Sequence, residues 1–456
     1  MSPSDHRGPW ARLSLPTRIL IGLGTGLVLG IIANVFFSQA AWLDPLIQYV
    51  AYPIGQIFLR LIFMIVIPLI FAALTLGVAE LGDLRRLGRV GIKTFAFALT
   101  VTLISVAIGV TLVNTLQPGR GIDPAAREEL IQTLVSPDAR RNVEQADAAR
   151  QTNVIDTLLN IIPRNPVEDA ARAFDGSYRG GGLLAVMFFA LIFGVALATV
   201  DREKTEGLIA AIEGLYWVVM KIIGFAMRLA PYGVAALLFS VAARLGFDII
   251  VVLAKYVGVV LLGLALHQFG VYSILVRVFA RMSPITFFRK IREIMIVAFS
   301  TSSSNATLPT ALRVTEERLG VPRQISGFVL TLGSTGNQNG TALFEGVTVL
   351  FLAQFFGVSL GVPEQIQVVL MSILAGVGTA GVPGGSLPLI VLVLQSVGVP
   401  GEGIGVILGV DRLLDMCRTT VNVTGDVAAA AYVARSEGFE LDTVIEPEEA
   451  EEALTI

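Results

Sequence analysis

Nine stretches of this chain are apolar over about the length that a helix needs to cross a membrane, and that feature decides its solvent. They are Ile19–Phe37, Val50–Val78, Thr94–Leu116, Leu183–Val200, Leu215–Ala242, Ile249–Val276, Ile325–Phe356, Ile366–Val399 and Ile404–Val433. A hydrocarbon core of ~30 Å takes ~20 helical residues. With 54% hydrophobic and 15% charged residues and a mean hydropathy of +0.74, a water-soluble chain of 456 residues would expose most of its apolar surface. An all-α integral membrane protein with several passes is the expected class.

The net charge of −3 argues against nucleic acid, which asks for a basic face. A single cysteine, Cys417, excludes an intrachain disulfide and a cysteine metal cluster. Residues 1–16 carry Arg7 and Arg12 without a small-residue cleavage site, so they read as a retained cytoplasmic tail. Lys and Arg cluster at Arg7, Arg12 and Arg18, at Arg85, Arg86, Arg89 and Lys93, and at Arg277, Arg281, Arg289, Lys290 and Arg292. The positive-inside rule places those ends in the cytoplasm. The polar stretch 119–179 mixes both signs and falls outside; its Pro163-Arg164-Asn165-Pro166 turn predicts a partly ordered excursion.

The first six apolar runs are nearly uninterrupted, as expected of a scaffold packed on lipid and on neighbouring subunits. From Pro284 onward the pattern breaks at what should be membrane depth. Ser300–Pro309 is polar, and Gly376–Ser386 is glycine-rich. Each predicts a helical hairpin with an unwound tip, because bare backbone polar groups survive in hydrocarbon only when buried in protein or lining a wet cavity. Paired interruptions of this kind point to a site near the bilayer midplane. The alternative is an exposed loop between two short helices, whose arms are too short to span alone.

Between the hairpins, Gly333–Glu345 again interrupts an apolar segment. Glycines around Asn337 loosen the helix and free carbonyl oxygens of the kind a hard cation binds. Glu345 sits one turn past Thr341. A carboxyl group at that depth is costly to ionise, which makes it a candidate proton carrier. In the last span, Asp411, Asp415, Arg418, Asn422 and Asp426 fall on one stripe roughly 80° wide at ~100° per residue. Charges of both signs on one intramembrane stripe are functional by default. Arg418 suits a substrate carboxylate bidentately, Asp415 can take an ammonium, and Asp426 with Asn422 offers oxygens to a cation. An internal ion-pair ladder is the alternative.

These residues resemble the glutamate/aspartate transporter family, the dicarboxylate/amino acid:cation symporters. The likeness is carried by Phe58–Pro68, Gly82–Gly91, Thr307-Leu308-Pro309, Gly340–Leu343, Gly378–Gly384 and Asp415–Asp426, and covers most of the chain. It implies eight transmembrane helices with two re-entrant hairpins, built from inverted repeats into a scaffold and a mobile transport (elevator) domain of a homotrimer. The implied division is residues 1–80 as scaffold helices 1 and 2, and 81–118 as the third helix in the transport domain. Residues 119–245 follow as external loop and scaffold helices 4 and 5, 246–440 as transport domain, and 441–456 as an acidic cytoplasmic tail. The protein would lie in the plasma (inner) membrane with both termini cytoplasmic. By the same likeness, substrate is held by Ser304, Thr341, Gly381, Asp415, Arg418, Thr419 and Asn422. Sodium ions are held by Gly333, Asn337, Asn422 and Asp426 at one site, and by Thr335, Gly376, Val377 and Thr379 at another.

The chain departs from the family where the motif usually reads Asn-Met-Asp-Gly-Thr. It has Asn337-Gln338-Asn339-Gly340-Thr341, so the neutral Asn339 replaces a charged ligand. The third span around Phe97–Thr102 also looks depleted in ligands, and a third deep sodium site is not expected. Protons could substitute, with Glu345 as carrier. Arg412 points ~100° off the stripe and receives no role from the sequence. Ser302 stands where some members carry an arginine. The only histidines, His6 and His267, have no nearby Ser/Asp pattern, so a hydrolase is disfavoured. A channel, a C4-dicarboxylate carrier and a neutral amino acid carrier remain as alternatives; Asp415 disfavours the dicarboxylate and Arg418 the neutral substrate.

Overall fold

The computed structural model describes residues 13, 15–81, 89–121, 162–172, 182–378 and 384–441. Among the described residues there is no strand, in accord with the expected all-α class. Helix α1 (Leu15–Phe37) is followed by Leu43–Leu46 and a π segment, Ile47–Ala51, that lead into α2 (Tyr52–Phe63) and α3 (Val66–Leu81). Then come α4 (Arg89–Leu116), the short α5 (Pro166–Ala171), α6 (Gly182–Thr199), α7 (Arg202–Leu245) and α8 (Asp248–Ala265). Two π segments flank α9 (Tyr272–Leu275), and α10 (Pro284–Lys290) follows. The interrupted region contributes α11 (Arg292–Thr301), α12 (Ser304–Glu317), α13 (Arg323–Gly336), α14 (Asn339–Phe356), α15 (Val362–Gly378) and α16 (Leu387–Ser396). The chain's last helix is α17 (Ile404–Ser436).

Among the described residues, six helical stretches are both long and apolar enough to cross a membrane, two of them interrupted as described next. Helix α17, with 33 residues, is long enough too, but carries the charged stripe. Three apolar runs that look continuous in sequence are each two helices. The run over 50–78 gives way at Met64–Ile65, because Pro68 has no N–H to offer the Met64 carbonyl one turn back. The 325–356 run breaks at Asn337 and Gln338, where the backbone leaves helical geometry after Gly336. The 366–399 run divides into α15 and α16, and residues 379–383 of its glycine-rich tract lie outside the described residues. The first tract does break the helix: α11 ends at Ser302, held at φ 50°, and Ser303 caps α12 by accepting from the Ala306 N–H at 3.2 Å. In the polar stretch, the Asn165 side chain accepts from the N–H groups of Val167 and Glu168, which starts α5 where the Pro-rich turn predicted order.

Two modes of packing hold these helices. Along α1, Gly22, Gly26 and Gly30 recur every fourth residue and bring its backbone onto α7. A Cβ on Gly22 or Gly26 would collide with the carbonyl oxygens of Pro231 or Ala235, and one on Gly30 would lie 2.8 Å from that of Phe239. Small residues allow this approach in a bilayer, where lipid is as apolar as the helix surface and only close contact favours association. The outward faces of α1 and α7 present Val28, Phe36, Trp217 and Val218, more than half exposed and suited to hydrocarbon. Helices α2 and α3 also pack on α7, and α6 on α3. Helix α4 packs instead on α14, α15 and α17.

The centre of the molecule is α17, touched by α1, α4, α7, α8, α11, α12, α13, α14 and α16, and buried over most of its length. Just beyond its C-terminus, Glu437 Oε1 accepts from Lys93 of α4 at 2.5 Å, and Arg89 lies 3.5 Å from Oε2. Lys93 also donates to the Ser436 carbonyl and hydroxyl, capping the helix end. The Lys93 hydrogen bond is the chief reason that the Glu437 carboxyl is held below its ordinary value of 4.5.

Two outcomes follow from this packing. Gly26→Leu should destabilise the α1–α7 contact by about 1–3 kcal/mol, seen as a lower melting temperature in detergent; an unchanged value would mean that the contact is not close. Because folding lowers the Glu437 pKa, its contribution is complete above 4.5 and fades as pH falls through the folded value. The melting-temperature gap between wild type and Glu437→Gln should therefore be open at neutral pH and close as the pH is taken well below 4.5.

Candidate functional site

The stripe expected on the last span is present, and all five of its polar side chains are buried: Asp411, Asp415, Arg418, Asn422 and Asp426. Its upper half is an ion-pair ladder. Arg418 Nη1 donates to Asp411 Oδ1 at 2.8 Å, and Nη2 lies 3.0 Å from Asp415 Oδ1. The guanidinium carbon sits 4.2 Å from the centre of the Phe344 ring, which covers its apolar face. Arg412 turns back onto the same cluster, with Nη1 donating to Asp415 Oδ2 at 3.3 Å. The Gly384 N–H, just before α16, reaches the same oxygen at 3.3 Å. The role that the sequence left blank for Arg412 is thus a charge one: two guanidinium groups balance two carboxylates. A small cavity beside them is lined by Asp411, Arg412 and Asp415, and by Ile19, Phe58 and Met227 from α1, α2 and α7.

Burying an ion costs several kcal/mol unless its partners are complete, so the ladder constrains what can enter. A ligand reaching Arg418 has to offer the guanidinium a carboxylate in exchange for Asp411 or Asp415. A ligand reaching Asp415 has to offer a cation.

The lower half of the stripe meets the break between α13 and α14. Asn422 Oδ1 accepts from the N–H groups of Gly340 at 2.7 Å and Thr341 at 3.3 Å, two of the unpaired donors at the start of α14. Its Nδ2 donates to Gln338 Oε1 at 2.5 Å and Thr341 Oγ1 at 3.0 Å. Gly340 permits this closeness, since a Cβ there would lie 2.6 Å from the Arg418 carbonyl oxygen. One turn on, Asp426 Oδ1 accepts from Asn337 Nδ2 at 2.8 Å, while Asn337 Oδ1 is buried without a hydrogen-bond partner among the described residues. Any side chain at Gly333 would collide with the Asp426 carboxylate. Gly333, Asn337 and Asp426 therefore converge, with Asn422 a turn away. A carboxylate, a carboxamide oxygen and loosened carbonyls are the donor set of a hard cation.

The other sequence-predicted residues are distributed as follows. Ser304 is buried at the first turn of α12, and Thr419 is buried on α17 beside Arg418. Gly376 brings α15 onto the break: a Cβ there would lie 3.3 Å from Ala342 and 3.6 Å from the Gln338 carbonyl oxygen. Thr335 and Val377 lie in α13 and α15, but their side chains are outside the described part, as are Thr379 and Gly381 altogether. Glu345 is wholly buried, and neither carboxyl oxygen has a hydrogen-bond partner among the described residues. Ser302 is buried at the break between α11 and α12, its hydroxyl likewise without such a partner.

Several contributors have no strong sequence signal. Phe344 is one more aromatic in an apolar run. Gln338 and Gly384 look like loop residues. Thr102 and Ser105 of α4 reach Asn339 from a span that reads in sequence as depleted in ligands. Tyr272 could have been suspected from His267 and Gln268, two polar residues just before it in an apolar span.

An all-helical chain with several apolar spans, whose buried charges gather where helices break, has the make-up of a multi-pass membrane transporter. The chain belongs to the sodium:dicarboxylate symporter family, whose sequence profile matches residues 15–436. It is similar to a proton/sodium-glutamate symport protein of Bacillus subtilis (strain 168), 32% identical over 443 residues, which span 96% of this chain and 99% of that one. A proton/glutamate-aspartate symporter of Escherichia coli (strain K12) is 32% identical over 428 residues, 93% of each chain. A C4-dicarboxylate transport protein of Anaeromyxobacter sp. (strain K) is 30% identical over 442 residues, 94% of this chain and 91% of that one. These are transporters, not enzymes.

A double-mutant cycle tests the ladder. Asp411→Ala and Arg418→Ala should each lower the melting temperature, and the double variant should be more stable than the sum of the two losses by about 1–3 kcal/mol. Losses that add within about 0.5 kcal/mol would mean that the pair is not coupled.

Proposed function

We propose that this protein is a secondary active symporter that imports an acidic amino acid, aspartate or glutamate, coupled to sodium and/or protons. The supporting observation is the contact between Arg418 and Asp415, 3.0 Å apart and buried beside the helix break. An amino acid with an acidic side chain carries both charges needed to take their place in one another's company: its ammonium on Asp415, its side-chain carboxylate on Arg418. The exchange gives Asp415 and Arg418 each a new partner of opposite charge, so neither suffers the desolvation of a lone ion. Ser304, Thr341, Gly381, Thr419 and Asn422 complete the substrate shell. A C4-dicarboxylate would set a carboxylate against Asp415, and a neutral amino acid would leave Arg418 to its internal partners.

Charge balance motivates the coupling. The ladder of Asp411, Arg412, Asp415 and Arg418 is neutral within itself, whereas Asp426 and Glu345 have no salt bridge to a cationic side chain among the described residues. A substrate of net charge −1 adds a third unbalanced anion, and cations have to accompany it. Sodium occupies Gly333, Asn337, Asn422 and Asp426, and a second ion Thr335, Gly376, Val377 and Thr379; Glu345 carries a proton. The helices packed along α7 form a static scaffold of a homotrimer. Residues 81–118 and 246–440 form the transport domain, which moves between the two faces of the membrane as an elevator. Eight spans and two re-entrant hairpins place both termini, with the acidic tail 441–456, on the cytoplasmic side of the plasma (inner) membrane.

Purified protein in liposomes, given labelled aspartate under separately imposed sodium, proton and potassium gradients, tests this reading. Saturable uptake driven by sodium or proton gradients is expected; uncoupled flux would indicate a channel. Arg418→Ala should reduce aspartate uptake by about a hundredfold or more while the protein remains trimeric, and normal affinity in that variant would remove Arg418 from the substrate site. Glu345→Gln should keep sodium-driven uptake and lose the response to a pH gradient. A wild type indifferent to pH gradients would rule out proton carriage by Glu345.

A further inference from the structure

Four separate helices meet at the carboxamide of Asn339, the first residue of α14. Thr102 Oγ1 donates to its Oδ1 at 2.5 Å, and the Ser105 hydroxyl donates to its main-chain oxygen at 2.8 Å. Asn339 Nδ2 donates to the Tyr272 hydroxyl at 3.1 Å, and that hydroxyl donates in turn to the Val421 carbonyl at 3.0 Å. Thr102 and Ser105 belong to α4, Tyr272 to α9 and Val421 to α17, and the four polar side chains are all buried. Gly425 leaves the space, since a Cβ there would lie 2.8 Å from Asn339 Nδ2.

The direction of these bonds matters. Tyr272 has one proton and commits it to Val421, so toward Asn339 its oxygen can only accept. The NH2 group of the carboxamide therefore faces the junction's interior. Without that group the junction would be lined by oxygens alone: Thr102 Oγ1, Ser105 Oγ, Tyr272 Oη and the two oxygens of residue 339. That is the donor type hard cations take, and an N–H in its midst repels them. A neutral amide also adds no buried charge, so nothing requires a counter-ion. A carboxylate at the same place would bring one negative charge that no cationic side chain in the junction meets, a cost that a bound cation relieves.

We propose that Asn339 sets the ion count of this transporter: its amide N–H takes the place of a coupling cation, clamping α4, α9, α14 and α17 without an ion. A carboxylate at residue 339 converts the junction into a sodium site. The inference rests on the proposed cation coupling only in taking sodium as the probe. It separates the ions that enter near Asp426 from a neighbouring junction that binds none.

The test uses the purified full-length protein without substrate. Its melting temperature is followed against sodium chloride, with choline chloride holding ionic strength constant. The slope of stability against the logarithm of sodium concentration reports how many ions the folded state binds. Wild type, Thr102→Val and Tyr272→Phe should share one slope, although the two variants melt lower. Asn339→Asp should steepen it by about one ion, and adding Thr102→Val to that variant should weaken the gain. A flatter slope in Thr102→Val or Tyr272→Phe alone would mean that a cation already sits at the junction and would overturn the proposal. An Asn339→Asp slope equal to wild type would overturn it as well. The Thr102→Val and Tyr272→Phe arms bury no new charge, so they decide the ion-free claim independently. A protein that transports no acidic amino acid would fail the uptake experiment yet leave these slopes as expected.

Discussion

A guanidinium in hydrocarbon is tolerable only when its partners are complete, and the interior of this molecule is arranged around that requirement. Arg418 is paired with two carboxylates from the preceding turns of its own helix and has an aromatic face against its plane. Asp415 in turn is held by two guanidinium groups and a backbone N–H. Such a cluster cannot border lipid, so α17 has to be the central helix, sheathed by neighbours from both the uninterrupted and the interrupted parts of the chain.

The breaks in the neighbouring helices serve the same cluster. A continuous helix spends its N–H and C=O groups on itself and offers a charged neighbour nothing. Interrupting the run at Asn337 and Gln338 releases donors that the Asn422 amide collects, and sets Asn337 against Asp426. This break requires close approach on both sides: Gly340 admits the Arg418 carbonyl, and Gly333 admits the Asp426 carboxylate. Glycine is thus used in two ways. In α1 it lets two apolar helices touch backbone to backbone; at the breaks it lets polar groups converge out of reach of lipid.

These two kinds of contact differ in what they permit. The α1–α7 seam is shape complementarity between surfaces without charge, whereas the junctions around α17 are directional and depend on which atom donates. At Asn422 and at Asn339 the carboxamide both donates and accepts, and joins elements that no apolar contact would orient. A carboxylate at either place would change the direction of half the bonds and the local charge together.

Much of this was legible in the sequence, and for a definite reason. Hydropathy over ~20 residues reports the solvent, and the ~100° helical period reports which side chains share a face. The membrane class, the stripe from Asp411 to Asp426 and the two interrupted tracts followed from those periodicities alone. What faces the stripe did not. Periodicity gives direction about one axis but is silent on which neighbour lies in that direction. That Arg412 bends back to Asp415, that Phe344 covers Arg418, and that Thr102, Ser105 and Tyr272 close around Asn339 are relations between residues up to 237 positions apart. Only the packing of the helices decides them, because a hydrogen bond is fixed by distances and angles in space that spacing along the chain does not encode.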